Sequence, residues 1–332
     1  MNTGGFGDLA ALLNRQATTH MLKQRLSNLN TELATGRAAD PVKAAGGNPG
    51  RYLSLDARID VLSTRIRAME FATGGIELVQ EVLSSATRSL DDTALPLLAA
   101  VQRGDQVQSR AISASAEERF RLLTGQLNAS FADRPVFGGA TGAGVVISDA
   151  DPVLNDVAAI IAAGPDAATI DAALDQYFID PAGPFRTLHL TVSGEAPPVE
   201  IADGSRVQPL PRADQEPILE ALKSLAVMAT IEVFTGSDTE KVILTETAVS
   251  DALTARDGIL GLGEDIGFKQ DVIQRAQTRS ETEMNLLKIE ANSMLQVDPY
   301  ETALKLEEAS HVLQQVFLVN GRLSQIRLSA YI

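Results

Sequence analysis

The sequence predicts a mainly α-helical protein in which the N-terminal and C-terminal segments form a long antiparallel helical bundle with a small inserted α+β domain. Three observations predict this fold class. Apolar residues recur at heptad spacing near both ends of the 332-residue chain, ten of its 14 prolines lie between Pro135 and Pro217, and aromatic residues make up only 4% of it. Because proline interrupts helices, the proline-poor ends are predicted to be helical and the middle rich in turns.

The first predicted helix runs from about Leu9 to Ala34. Four leucines, Leu22, Leu26, Leu29 and Leu33, follow one another at alternating spacings of four and three residues. This spacing is the a/d pattern of a helix that packs lengthwise on another helix. Turn residues follow, including the run Gly-Gly-Asn-Pro-Gly at 46–50, so a break is predicted there.

A second apolar seam begins at Tyr52 and continues to Leu90. Its six or so heptads predict a rod-like helix of roughly 60 Å. The pair Gly74-Gly75 lowers helix propensity but leaves the periodicity intact, so a slight bend is predicted there. A further helix is predicted from about Gln106 to Ser130.

The C-terminal part repeats this pattern with a long helix from about Glu240 to Gln296. A cluster of glycines at positions 258, 261, 263 and 267 predicts that its first part is broken. Asp298-Pro299 then predicts a new helix start, with Asp as N-cap and Pro at the first position. This last helix is predicted to run to Ile332.

The middle of the chain carries the strand signals. Leu188, Leu190 and Val192 alternate within 186–192, and Val199 and Ile201 alternate before the turn at 203–204. A helix is predicted from Glu216 to Ile231. The predicted organisation is therefore terminal coiled-coil helices that are disordered before assembly, a helical rod domain and an inserted α+β domain, at 1–35 with 299–332, 36–134 with 236–298, and 135–235.

Composition and charge exclude several classes. The chain has no cysteine, which excludes thiolate metal sites and cysteine nucleophiles, and its 28 Lys and Arg against 43 Asp and Glu give a net charge of −15. Such a surface repels phosphate backbones, so no nucleic-acid partner is expected. The longest apolar run, Val157 to Ala163, is too short to span a bilayer, and the first 20 residues lack the features of a cleaved signal, so neither membrane insertion nor Sec-type export is expected.

No motif indicates catalysis, a metal or a cofactor. The three histidines, His20, His189 and His311, stand apart from one another, and His189 is predicted to face solvent. The glycine-rich stretch 138–144 lacks the Lys-Ser/Thr of a phosphate loop. We therefore expect no enzyme, and the amphipathic ends suggest two alternatives. They pair with each other in a monomer, or they fold against other copies.

Three sequence blocks carry a resemblance to a known family. Leu26 to Arg37 followed by Ala39-Asp40-Pro41, together with Asp298-Pro299-Tyr300 and Ser324 to Ile332, resembles the terminal blocks of the flagellin superfamily. Leu127 to Gly139 is similar to the Asn, Gly-Arg and Phe-x-Gly signature of its hook-associated protein 3 branch, which joins the hook to the filament. The chain departs from these patterns at Ala39, Asp133 and Pro135.

The resemblance implies a structural component of the bacterial flagellum, exported through the flagellar type III apparatus and located outside the cell. The implied partners are other copies of the chain, hook-associated protein 1 on the hook side, flagellin on the filament side and an export chaperone. The expected interface between copies consists of Leu22, Leu26, Leu29, Leu33, Leu313, Val316, Phe317 and Leu323.

Two alternatives to the junction role stay open at the level of sequence. The chain is a flagellin that polymerises with itself into the filament, or it is a monomeric helical-bundle adaptor or enzyme. Purified protein that forms long filaments unaided indicates the first alternative. Termini that are fully protected from hydrogen exchange in the free monomer indicate the second.

Overall fold

A computed structural model describes residues 4–44, 49–142 and 144–329, with side chains for 13–44, 49–142 and 144–322. Its helices confirm the mainly α fold class. The helices within the described ranges are α1 (Gly4–Thr35), α2 (Pro41–Ala44), α3 (Pro49–Asp91), α4 (Ala94–Gln102), α5 (Gln106–Leu127), α6 (Ala150–Ala163), α7 (Ala167–Phe178), α8 (Glu216–Thr230), α9 (Asp238–Leu295) and α10 (Pro299–Ser329). None of them is both long and apolar enough to cross a membrane.

Four short strands form two antiparallel hairpins in the described part of the chain. They are β1 (Ser130–Phe131) with β2 (Arg134–Pro135), and β3 (Val199–Ala202) with β4 (Ser205–Val207). The second hairpin confirms the strand predicted around Val199 and Ile201 and its turn at Asp203-Gly204. The turn predicted at 46–48 lies outside the described residues.

The chain divides into two compact units. Unit 1 comprises Met1–Thr64 and Ser280–Ile332, and unit 2 comprises Arg65–Arg279. The boundaries between the units fall inside α3 and α9. The three-part organisation inferred from the prolines stays a prediction.

Unit 1 is held together by residues far apart in sequence. α1 packs along α10, and the segments beside these helices form an antiparallel bridge between Arg37 and Gln296. Two backbone hydrogen bonds close the bridge, from Ala38 N to Leu295 O at 2.9 Å and from Val297 N to Gly36 O at 3.2 Å. Gly36 has a φ of +68°, which allows α1 to end in the left-handed conformation that glycine adopts without strain.

The parts of α3 and α9 that belong to unit 1 also pair in antiparallel fashion. Arg58 Nε donates to Glu283 Oε1 at 3.0 Å. Arg51, seven residues earlier on α3, pairs with Glu290, seven residues later on α9. Leu55, Leu62 and Leu295 are buried in this unit. Because these pairs are partly exposed, the ion pairs orient the helices while the buried leucines supply the stability.

Unit 2 has α8 at the centre of its core. Ten of the 15 residues of α8 are buried, and the helix packs most extensively on α5. Within this unit α3 and α9 again run antiparallel, since Gln80 Nε2 donates to Gln270 Oε1 at 2.9 Å and Arg256 reaches Asp91. The predicted helix at 216–231 is thus confirmed, and it packs on helices from outside the proline-rich segment.

The predicted break in the C-terminal long helix is wrong, because α9 continues from Asp238 to Leu295 without interruption. At Gly258 an added Cβ would lie 2.8 Å from the ring of Pro217, so this glycine allows α8 to approach closely. An added Cβ at Gly261, Gly263 or Gly267 would meet nothing within 4 Å. Single glycines lower helix propensity by about 1 kcal/mol each, which packing along the helix outweighs.

The strand predicted over 186–192 is largely wrong, because within it only Leu190 keeps a β-type pairing, an isolated antiparallel bridge to Ile147. Phe185–His189 form one π-helical turn, and Leu188 is exposed. The cause is Phe185, which is fully buried and packs with its ring centroid 4.8 Å from that of Phe178. Burying this ring turns the chain at the point where alternation of leucines indicated a strand.

The prediction that His189 faces solvent is wrong as well. Its side chain is only 11% exposed, and its Nδ1 lies 2.7 Å from Ser148 Oγ. Its Nε2 lies 3.4 Å from Asp156 Oδ2, a carboxylate that also accepts a hydrogen bond from Tyr177. His189, which follows α7 in the chain, therefore contacts both the segment before α6, at Ser148, and α6 itself, at Asp156. His20 and His311 are exposed.

The two kinds of glycine in α9 predict opposite effects of the same substitution. Gly258→Ala is expected to lower the free energy of unfolding by about 1–2 kcal/mol, because the new methyl group meets the Pro217 ring. Gly261→Ala, three residues away, is expected to raise it by about 0.5–1 kcal/mol, because it gains helix propensity in open space. Denaturant titration of both variants checks this, and equal effects would contradict the assigned packing.

Candidate assembly surface on the terminal helices

The terminal helix pair, α1 and α10, brings together most of the residues predicted to form an interface. Leu29 is buried, and Leu22 and Leu26 are half-buried on α1. On α10, Leu313 and Val316 are half-buried at the same three- and four-residue spacing. The a/d seam of one helix therefore lies against the other helix of the same chain, in the manner of an antiparallel coiled coil.

Two of the eight predicted residues are placed differently, and a third is not described. Leu33 is 38% exposed and Phe317 is 49% exposed. The ammonium of Lys23 lies 5.8 Å from the centre of the Phe317 ring, which is within the range of a cation–π interaction. The side chain of Leu323 lies outside the described residues.

A larger apolar surface remains uncovered on α10. In residues 312–319, which we call the apolar segment, six of eight residues are apolar. Leu318 is 66% exposed and Val319 is 55% exposed. At about 100° per residue, Val312 and Val319 lie on one flank of the helix and Leu318 lies opposite the seam. A helix that is apolar on all sides is typical of a helix buried on all sides.

Val312, Leu318 and Val319 lie outside the a/d stripe that predicted the interface. A signal for them is nevertheless present in the sequence. No Asp, Glu, Lys or Arg occurs between Glu308 and Arg322, a gap of more than three helical turns. Solvated helices carry charges on their outer face, so this gap indicates contact with a partner on more than one side.

The charge of the chain is divided unequally between the two units. Unit 1 has 11 Lys and Arg against 12 Asp and Glu, a net charge of −1, whereas unit 2 has 17 against 31, a net charge of −14. Like charges closer than the Debye length of about 8 Å repel each other at physiological salt. The nearly neutral unit 1 is therefore the part that another copy can approach closely.

The polar residues at the helix ends have a direct structural role in unit 1. Asp298 caps α10 by accepting the backbone N–H of Tyr300 at 2.8 Å. Glu32 accepts the backbone N–H of Ala39 at 2.9 Å, just beyond the end of α1. Asp40 caps α2, and its hydrogen bond from the Lys43 backbone lowers the pKa of this exposed carboxyl. These contacts fix where the terminal helix pair begins.

The block from Leu127 to Gly139 builds the exit from α5 in unit 2. Asn128 Oδ1 accepts the N–H groups of Val146 and Ile147 at 2.8 Å each, and its Nδ2 donates to Ile147 O at 2.8 Å. Phe137 is fully buried. At Gly139, φ is +67° and a Cβ would lie 2.5 Å from Gly194 O, so only glycine fits.

The turn of the first hairpin departs from ordinary turn chemistry. Ala132 and Asp133 connect β1 to β2 with φ values of +47° and +63°. A two-residue turn with both φ positive favours glycine or asparagine. The departure at Asp133 seen in the sequence therefore falls at a position where the backbone conformation disfavours most side chains.

Together these features define a class of protein: an α-helical structural chain whose two ends pair in antiparallel fashion and leave an apolar surface on one helix. Comparison with known families finds a match over part of the chain. Residues 8–141 match the family described as bacterial flagellin N-terminal helical region. The match supports the flagellin superfamily. A search of curated proteins finds no match.

The flagellin family is structural and non-enzymatic, in agreement with the expectation that the chain is no enzyme. Its members are exported, self-assemble into flagellar polymers and form the extracellular flagellum. These properties support a flagellar structural protein that contacts other copies of itself. Within the described residues, no three His, Asp or Glu side chains are grouped so that they hold a metal ion.

The hydrogen bonds of Asn128 predict a graded loss of stability in two variants. Asn128→Ala is expected to lower the free energy of unfolding by about 2–4 kcal/mol, because two backbone N–H groups and one carbonyl lose their partners. Asn128→Asp keeps both acceptor bonds and is expected to cost less. Urea denaturation of both variants measures this, and equal losses would contradict the acceptor role.

Proposed function

We propose that the chain is the junction subunit between the flagellar hook and filament, and that it assembles into a ring through lateral packing of its terminal helices. The ring binds hook-associated protein 1 on one side and the first flagellin subunits on the other. The interface includes the predicted seam residues and extends to Val312, Leu318 and Val319. Assembly of the helices is then the activity of the protein.

The observation that carries this proposal is the exposure of the apolar segment of α10. Val312, Phe317, Leu318 and Val319 are all exposed beside a seam that α1 already covers. Burial of four half-exposed aliphatic and aromatic side chains contributes on the order of 4 kcal/mol for each copy. An exposed apolar surface of this kind is typical of a site that further chains cover on assembly, or that a chaperone binds beforehand.

The choice of junction over filament rests on the block from Leu127 to Gly139. Its residues determine how the chain leaves α5, through Asn128, Phe137 and Gly139. The family match favours the alternative equally, because its description refers to flagellin. The two roles predict different phenotypes in the cell.

Substitutions at the proposed interface are expected to reduce assembly without affecting folding. The double variant Leu318→Gln, Val319→Gln is expected to fold as the parent does, because both side chains are exposed, and to lose incorporation into flagella by about tenfold or more. Val107→Gln in unit 2 is the matched control, since Val107 is also exposed. Immunoblots of sheared flagella measure incorporation. Normal incorporation of the double variant excludes this interface.

A deletion strain distinguishes the junction from the filament. Without the junction subunit, cells are expected to lack filaments and to release flagellin monomers into the medium, because the exported flagellin has no ring on which to assemble. Electron microscopy and immunoblots of the culture supernatant measure both effects. Intact filaments contradict the junction role, and long filaments formed by the purified chain alone support the flagellin alternative.

A further inference from the structure

A buried lysine in unit 2 joins three helices. The side chain of Lys223 on α8 is only 6% exposed, and its ammonium contacts three carboxylates. Asp171 and Asp175 lie one turn apart on α7, with Asp171 Oδ1 at 2.8 Å, and Asp251 Oδ2 on α9 lies at 2.9 Å. The ammonium donates a hydrogen bond to Asp175 Oδ1, and the other two carboxylates lie within salt-bridge distance. Lys223 therefore connects α7 and α9 to the core helix α8.

The cluster carries more negative charge than this lysine neutralises. Lys223 lies in an open cleft in which it is the one cation among the described lining residues. The acids that line the cleft come from α7, the segment just after it, α8 and α9; they are Asp171, Asp175, Asp180, Glu216, Glu220 and Asp251. Asp180, Glu216 and Glu220 are not among the carboxylates that form salt bridges with the ammonium. Their negative charges repel those of the other three acids.

We propose that this cluster is a pH-sensitive joint that holds α7 to α8 and α9 more firmly in mildly acidic solution than at neutral pH. The geometry supplies the mechanism. One proton added to a carboxylate outside the lysine contacts removes repulsion without removing any bond to Lys223. Glu220 fits this role, because it is half-buried and lies one turn before Lys223 on α8.

The titration of the cluster agrees with this mechanism. Burial, together with the charges of Glu216 and Asp251, raises the pKa of Glu220 above its ordinary value of 4.5. A raised pKa means that the folded chain binds this proton more tightly than the unfolded chain, so stability rises as the pH falls through the folded-state pKa.

The pKa of Lys223 is raised as well, but this affects stability only in alkaline solution. Burial opposes its charge, but the interactions of its ammonium with the carboxylates of Asp171, Asp175 and Asp251 outweigh burial and raise its pKa above 10.5. The stability that it contributes is therefore complete at neutral pH and is lost only as the pH rises through its folded-state pKa. On the acidic side the response belongs to Glu220, whose pKa is raised.

Hydrogen exchange of the full chain, followed by mass spectrometry, tests the proposal at α7. After correction for the intrinsic pH dependence of exchange, α7 is expected to exchange about two- to fivefold more slowly at pH 5.5 than at pH 8, the range for partly exposed charges. Glu220→Gln is expected to exchange slowly at both pH values. Glu264→Gln, an exposed acid elsewhere on α9, is the control and is expected to follow the parent.

A second variant distinguishes an effect of charge on Glu220 from a general change in the stability of α8. Glu216→Gln removes a neighbouring charge that raises the pKa of Glu220, so the slowing of exchange is expected to move to lower pH. The proposal is overturned if Glu220→Gln retains the pH response of the parent, if α7 exchanges faster at pH 5.5, or if Glu216→Gln leaves the response unchanged. Each result concerns unit 2 and is independent of the assembly proposal.

Discussion

The structure depends on antiparallel pairing between helices that come from opposite ends of the sequence. An amphipathic helix must cover its apolar stripe, and in unit 1 α1 provides that cover for α10. The bridge between Arg37 and Gln296 sets the register of the pair, and Asp298 fixes the start of the second helix. One partner covers only one side of a helix, so the remaining apolar surface of α10 follows from the same constraint that folds the unit.

The distribution of charge separates two physical tasks within the chain. Unit 1 is almost neutral, which allows close packing of copies without electrostatic repulsion. Unit 2 carries nearly all of the net negative charge and therefore stays solvated. Inside unit 2, the contacts of Lys223 show that part of this charge is drawn into the fold, where three aspartates on two helices share one ammonium.

Long periodic features could be predicted from the sequence, whereas features that depend on a distant partner could not. The spacing of Leu22, Leu26 and Leu29 identified the seam because heptad periodicity is a local property of one helix. The turn at Phe185–His189 was missed because burial of Phe185 against Phe178 overrides the alternation of neighbouring leucines. Gly258 fits a close approach of Pro217, which no local pattern records. For the same reason, Leu318 could not be assigned to a surface before the fold showed which side of α10 is covered.

Cysteine cross-linking measures the central claim most directly, since the chain contains no cysteine of its own. A single Leu318→Cys substitution places a thiol on the side of α10 opposite the seam. When this thiol carries a maleimide-linked benzophenone, which on irradiation reacts with C–H groups of any neighbouring chain, isolated flagella are expected to contain cross-linked pairs of this chain, which the same label on Val107→Cys at an exposed site of unit 2 does not form. Monomers alone for Leu318→Cys, in flagella that contain the variant at the parental level, would contradict packing between copies through the apolar segment.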